Sequence, residues 1–241
     1  MKFRLAACVL AMAAAAGAQP LRVLAVTGGH SYPTAFYTLF EGYPDIVWSH
    51  AVSQKDAFKP DLAKRYDVIV LHDMAEDLDA PLRENLKAFV EAGKGIVATH
   101  HAVIDYTAWP WWWREVVGGK YFDNETFDKA FPDHPKSQYK EGVDFTVTPT
   151  KAGLAHPVTR DVGPLKVHDE GYKNLWHSPD IEVLMEADFE LTDRPQVWVG
   201  PGAGKARVIY IQIGHEESTL RMPAYRKLVR NAILWTAGKL R

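Results

Sequence analysis

Three short, near-continuous apolar runs, residues 21–26 (LRVLAV), 66–71 (YDVIVL) and 95–99 (GIVAT), constrain the fold of this chain more than any other feature. Each is too short for a buried helix and lacks the polar alternation of a half-exposed strand, so each reads as a strand covered on both faces. Strands of that kind run parallel and are joined by crossover segments, usually helices. The connections agree. Residues 35–40 are aromatic and helix-compatible, and Asp79 and Pro81 open a helix whose Leu82, Leu86, Phe89 and Val90 share one face before Gly93 and Gly95 close it. Near the end of the chain Tyr225, Leu228, Val229, Ala232 and Ile233 recur at helical spacing. The expected fold is α/β, a mostly parallel sheet with helices on both faces. No repeat, low-complexity tract or linker divides the 241 residues, so one domain is expected.

Further strands are expected at 143–147, which alternates as if half exposed, and at 183–185, 196–199 and 207–211, the last two joined by a hairpin around Gly200 to Lys205. The aromatic and polar stretch 106–134, rich in tryptophan, reads as an insertion over a site.

At the start, Lys2 and Arg4 precede an apolar run that ends in small residues around Ala16, Gly17 and Ala18, the pattern of a signal peptide. The expectation is a signal over 1–18, a domain over 19–241, and an exported protein, periplasmic or secreted. No later stretch approaches the roughly 18 apolar residues of a membrane helix, so no membrane contact is expected after signal removal. Cys8 stands too early for a lipoprotein cleavage box. Cleavage after Ala18 would remove this single cysteine and with it disulfides, thiolate metal sites and a cysteine nucleophile. A formal net charge of -2 gives no basic field for nucleic acid.

Ligands of open α/β sheets bind outside the carboxyl ends of the strands, and there this chain places histidines: His30, His72, and the adjacent His100 and His101. Imidazole titrates near neutrality and serves as acid, base or metal ligand, which makes His100 and His101 candidate catalytic groups. His215, where an apolar strand gives way to a loop, and Glu170, one of two adjacent carboxylates after His168, join them. Asp169 and Glu170 are adjacent and on a strand would point to opposite faces, and Glu170 is the one expected to face the site. His30 after two glycines, Trp113, Asp169, Tyr172 and Glu216 are candidate substrate-binding residues. The tryptophans from Trp109 to Trp113 could stack on a pyranose ring, although such residues more often build core. No HExxH or similar ligand spacing occurs, so a divalent metal such as zinc is permitted by the histidines but not specified. The turn after the first strand lacks GxGxxG spacing, which disfavours direct NAD binding.

The segments GIVATHHA (95–102), the tryptophan stretch leading to VGG (117–119), HPVT (156–159), HDEGY (168–172), RPQVWV (194–199), GKARVIY (204–210) and IGHE (213–216), in that order, resemble the ThuA-like, or trehalose-utilisation, family. The resemblance covers nearly all of the domain. It implies a flavodoxin-like fold related to class I glutamine amidotransferases, with His100 at the turn that carries their cysteine and with His215 and Glu216 in place of their histidine and glutamate. Without that cysteine a thiol mechanism is excluded. The resemblance further implies carbohydrate catabolism, in pathways that oxidise glycosides to 3-keto sugars. In such a sugar a histidine base can remove the proton beside the ketone, leading to isomerisation or elimination. Two other readings stay open: a metal-dependent hydrolase, and a sugar-binding module that partners an oxidoreductase. A homo-oligomer is permitted and not specified.

Overall fold

The computed structural model describes residues 19–75, 77–122 and 134–241. The expected signal with Cys8, and the middle of the aromatic stretch at 123–133, lie outside the described residues. Nine strands form one sheet in the order β2-β1-β3-β4-β11-β10-β9-β6-β7. They are β1 (Leu21–Gly28), β2 (Ile46–Ala51), β3 (Val68–Asp73), β4 (Gly95–Thr99), β6 (Gln138–Pro149), β7 (Leu165–Lys173), β9 (Glu182–Ala187), β10 (Pro195–Gly200) and β11 (Val208–Ile211), while β5 (Gly119–Lys120) and β8 (Trp176–His177) pair separately. The half from β2 to β11 is parallel throughout, and the half from β11 to β7 is antiparallel.

The absence of alternation in the parallel strands has a direct structural cause. In β1, Val23 and Ala25 enter one core while Leu24 and Val26 enter the other; in β3, Val68 and Val70 separate in the same way from Ile69 and Leu71. Helix α1 (Ala80–Glu91) covers one face with Leu86, Phe89 and Val90, and α2 (Pro223–Thr236) covers the other with Tyr225, Leu228, Val229, Ala232 and Ile233. Each such aliphatic side chain, fully buried, contributes about 1.5–3 kcal/mol. Among the described residues no helix is long and apolar enough to cross a membrane. The hairpin from β10 to β11 forms as expected, and residues 34–39 form a 3-10 helix. Strand β2, whose residues Val47 to His50 are partly exposed, carries no comparable apolar run and was not foreseen.

The antiparallel half decides where the site lies. From β4 to β7 there are five steps in the sheet order. At about 4.8 Å per step a flat sheet would hold these strands roughly 24 Å apart. Yet a side chain of β7 lies 2.7 Å from one that follows β4. The sheet therefore curls until its far edge stands over the carboxyl ends of its parallel half, helped by register shifts between β9 and β10 and a bulge between β6 and β7, each of which adds local twist.

Candidate functional site

The chain leaves β4 at Thr99 and turns at His100, whose φ of 47° lies in the left-handed region that side chains rarely adopt. Such a conformation costs on the order of 1–3 kcal/mol and persists only when its surroundings over-determine it. They do so here through the neighbouring strand. The Tyr210 hydroxyl donates to the His100 carbonyl at 2.8 Å, and His100 Nδ1 lies 2.7 Å from the Gln212 carbonyl. Replacing Tyr210 by Phe should cost about 1–3 kcal/mol, because it leaves a buried carbonyl unmatched on a strained turn. A urea denaturation midpoint that falls at unchanged slope would show it, and an unchanged midpoint would mean that the turn needs no such tie.

Around this turn four imidazoles gather. The His101 ring centroid is 4.3 Å from that of His100, 5.5 Å from that of His215 and 4.1 Å from that of His30. Strand β7 brings Glu170, with Oε2 at 2.7 Å from His100 Nε2, and Tyr172, with its hydroxyl 3.0 Å from the same nitrogen and its ring stacked on the imidazole at 4.7 Å. His30, Glu170, His101, Tyr172 and His215 line a cavity of about 270 Å³. Two glycines hold the loops in place. A Cβ on Gly29 would stand 1.7 Å from the Met74 carbonyl oxygen, and one on Gly214 would stand 2.2 Å from the Tyr225 hydroxyl, both at positive φ.

Hydrogen-bond partners fix the proton on each ring. A carbonyl or carboxylate oxygen can only accept, so Nδ1 is the protonated nitrogen of His100 opposite Gln212, of His30 opposite Ser31 (2.7 Å) and of His215 opposite Glu216 (3.2 Å). In neutral His30 and His215 rings Nε2 then keeps its lone pair, whereas His100 Nε2 faces the Glu170 carboxylate. Burial, reinforced by the neighbouring imidazoles, holds His101 far below the usual histidine range and therefore neutral. For Glu170 burial acts to raise the pKa, but the hydrogen bond and charge of His100 outweigh it, so the carboxyl titrates below its ordinary range and is ionised at neutral pH. Burial and the nearby Glu170 charge keep Tyr172 a phenol.

One ligand-capable atom from each of His100, His101, Glu170 and His215 lies within 4.8 Å of the others, and these residues could hold a metal ion. Three nitrogens and one carboxylate suit zinc. The Nδ1 bonds of His100 and His215 are those that orient a metal-ligating histidine, one to a backbone carbonyl and one to a carboxylate.

The remaining residues singled out from the sequence stand elsewhere. Asp169 is fully buried behind the site, where it accepts backbone N–H groups of Glu170, Gly214, His215 and Glu216. Glu216 adjoins His215 but is not part of the cavity wall. Trp113 is not brought to the cavity either: it packs edge-on against Phe122 and Trp176, in the core under α1, and its indole N–H donates to the Thr107 carbonyl. His72 bonds Thr99 Oγ1 at 2.8 Å and stacks on Phe36, and burial lowers its pKa to about 3. It is a core histidine behind His101. Sequence reasoning missed Met74, Ile104, Tyr121, Tyr139 and Glu141, which also line the cavity. Tyr121 lies in the aromatic stretch read as an insertion over the site but was not singled out, and Tyr139 and Glu141 follow no apolar run, the signal that found the histidines.

Known proteins place the chain. A putative ThuA-like protein from Parabacteroides merdae shares its fold with a TM-score of 0.76 over 92% of both chains at 17% identity. Another, from Bacteroides uniformis, gives a TM-score of 0.67 at 19% identity, over 94% of this chain and 95% of that one. The chain is also similar to part of a β-galactosidase from Rahnella sp. R3, with a TM-score of 0.55 at 14% identity over 90% of this chain and 31% of that one. No curated protein matches the sequence. The family model for ThuA, described as trehalose utilisation, matches residues 22–236, so the chain belongs to the ThuA family, and with it to carbohydrate metabolism.

Proposed function

We propose that this protein is an enzyme acting on a sugar or keto-sugar at a divalent-metal centre, with zinc the ion best suited to His100, His101, His215 and Glu170. The observation that supports this reading is the convergence of four ligand-capable atoms within 4.8 Å at the floor of a strand-end cavity. The 2.7 Å contact of His100 Nε2 with the Glu170 carboxylate is satisfied by a proton carried on Nε2, and a cation would take the place of that proton, held by His100, His101, His215 and Glu170. A bound cation would supply a Lewis acid for a carbonyl oxygen and offset the charge that develops there.

The chain's own groups do the rest. His100 is wholly buried behind Glu170, so it positions the carboxylate rather than meeting substrate. His30 lies at the cavity wall on the exposed side of His101, with Nδ1 committed to Ser31 and its Nε2 lone pair available as a base. In a 3-keto-glycoside, His30 takes the proton from the carbon between the ketone and the glycosidic centre, and the C–H electrons move toward the ketone oxygen. Their return expels the glycosidic oxygen, which takes the proton back from His30; delivery of that proton to the former ketone carbon, with the neighbouring hydroxyl proton passing to the former ketone oxygen, moves the ketone by one carbon and gives isomerisation instead.

The test is a purified sample of measured metal content, incubated with 3-keto-trehalose, 3-keto-glucosides and their unoxidised parents and followed by NMR. Turnover of keto sugars only, lost on chelation and restored by zinc, is expected. Binding without turnover at every metal loading would sink the enzyme and leave a sugar-binding module that serves an oxidoreductase.

A further inference from the structure

The bulge between β6 and β7 lies at the site. Lys140 pairs with Gly171 and Val143 with Asp169, so Glu141 and Gly142 together oppose the single residue Glu170. An inserted residue re-aims its neighbours, and here it brings Glu141 to the cavity that already holds Glu170. Tyr139, two residues earlier and 61% exposed, stands at the mouth of the same cavity. Tyr121 completes this wall, its ring edge-on to Tyr172 at 5.3 Å. The cavity, about 270 Å³, falls just below the roughly 300–1,000 Å³ usual for small-molecule sites, so a ligand larger than one ring must extend over its mouth. Among the described residues its lining includes two carboxylates and no lysine or arginine.

We infer that Tyr121, Tyr139 and Glu141 form an outer subsite for a second sugar ring, which makes the preferred ligand a neutral two-ring glycoside rather than a monosaccharide or a phosphorylated sugar. The inference rests on the carbohydrate reading above and names the part of the site that selects the ligand. Tyrosine rings offer flat apolar surface with a polar tip, suited to a pyranose face and its rim of hydroxyls. A carboxylate accepts two neighbouring hydroxyls at once, in charge-assisted bonds stronger than neutral ones. A phosphate on the outer ring would meet the Glu141 carboxylate, with no basic side chain among the described lining residues to pair it, and that repulsion sets the discrimination.

The experiment compares trehalose and 3-keto-trehalose with methyl α-glucoside and its 3-keto form, and with trehalose 6-phosphate, by calorimetric affinity or by KM where turnover occurs. It uses the protein of measured metal content, its Tyr139→Ala and Glu141→Gln variants, and circular dichroism to show that these exposed substitutions leave the fold intact. The two-ring sugars are expected to bind about 10-fold tighter than their one-ring counterparts, an advantage of about 1.4 kcal/mol that each substitution removes, the two-ring sugars losing about 10-fold more than the one-ring sugars at the same metal content. Glu141→Gln should also narrow the preference for trehalose over its 6-phosphate. Equal affinity for one and two rings in the unsubstituted protein, or a parallel loss of both in the variants, overturns the subsite and leaves the metal centre standing. No affinity for any of the neutral sugars overturns the subsite and the carbohydrate reading together.

Discussion

Replacing Asp169 by alanine should destabilise the protein by about 3–5 kcal/mol, a large share of the roughly 5–15 kcal/mol that holds a domain together. The carboxylate is completely buried. Its Oδ1 accepts from Glu170 N at 2.8 Å, His215 N at 3.0 Å and Glu216 N at 3.3 Å, and its Oδ2 accepts from Gly214 N at 2.9 Å. Each donor left without a partner costs about 1–3 kcal/mol, moderated where the loop can relax toward water. Asn in the same place keeps one accepting oxygen but turns an NH2 group toward other donors, and should fall between alanine and the native residue. Urea unfolding measures the loss. Because Asp169 ties the 214–216 loop to β7, the alanine variant should also lose the placement of His215 and, with it, affinity for the proposed metal. A loss of less than about 1 kcal/mol would mean that the loop is held by something other than this carboxylate.

The second large effect separates the metal from the base. If the proposed centre holds zinc, His101→Ala removes one of its four ligands and should weaken the ion more than about 100-fold, beyond the range typical when only an outer-shell partner is lost. Turnover of a keto sugar should fall with it. His30→Gln should leave metal affinity within a few-fold, since His30 is outside the four-residue cluster, and still lower kcat by about 10²–10⁴, the usual worth of a positioned acid–base group. Metal titration beside single-turnover kinetics distinguishes the two. If His30→Gln turns over normally, the base is another group, with Glu170 the next candidate at the cavity wall.

The expectation for Asp169 and Glu170 illustrates how far local rules reach. Alternation along a strand says that only one of two adjacent carboxylates can face a given side, and β7 does divide them, Glu170 to the cavity and Asp169 to the loop behind it. The same rules could not foresee that Asp169 organises the turn that carries His215. That role depends on backbone donors 45 to 47 positions away in the chain. Trp113 shows the converse. Aromatic density suggested a stacking wall, while the structure puts that ring in the core, because a large apolar side chain gains more from burial than from a wet rim. The tyrosines that do line the cavity are spread along 121, 139 and 172 and form no cluster in the sequence.

What the sequence determined by itself is the buried part of the parallel half of the sheet, without its edge strand β2. Strands apolar on both faces need helices on both sides, and helices with one apolar face supply them, so β1, β3, β4, α1 and α2 follow from hydrophobic pattern alone. The histidines at the strand ends follow too, because a strand's end is local information. The tertiary structure alone decided that these histidines meet a carboxylate. Glu170 comes from the strand farthest along the antiparallel half, and it reaches His100 only because the sheet curls back on itself through bulges and accumulated twist. Curl is a sum of small backbone rotations over many residues, and no single residue along the way encodes it.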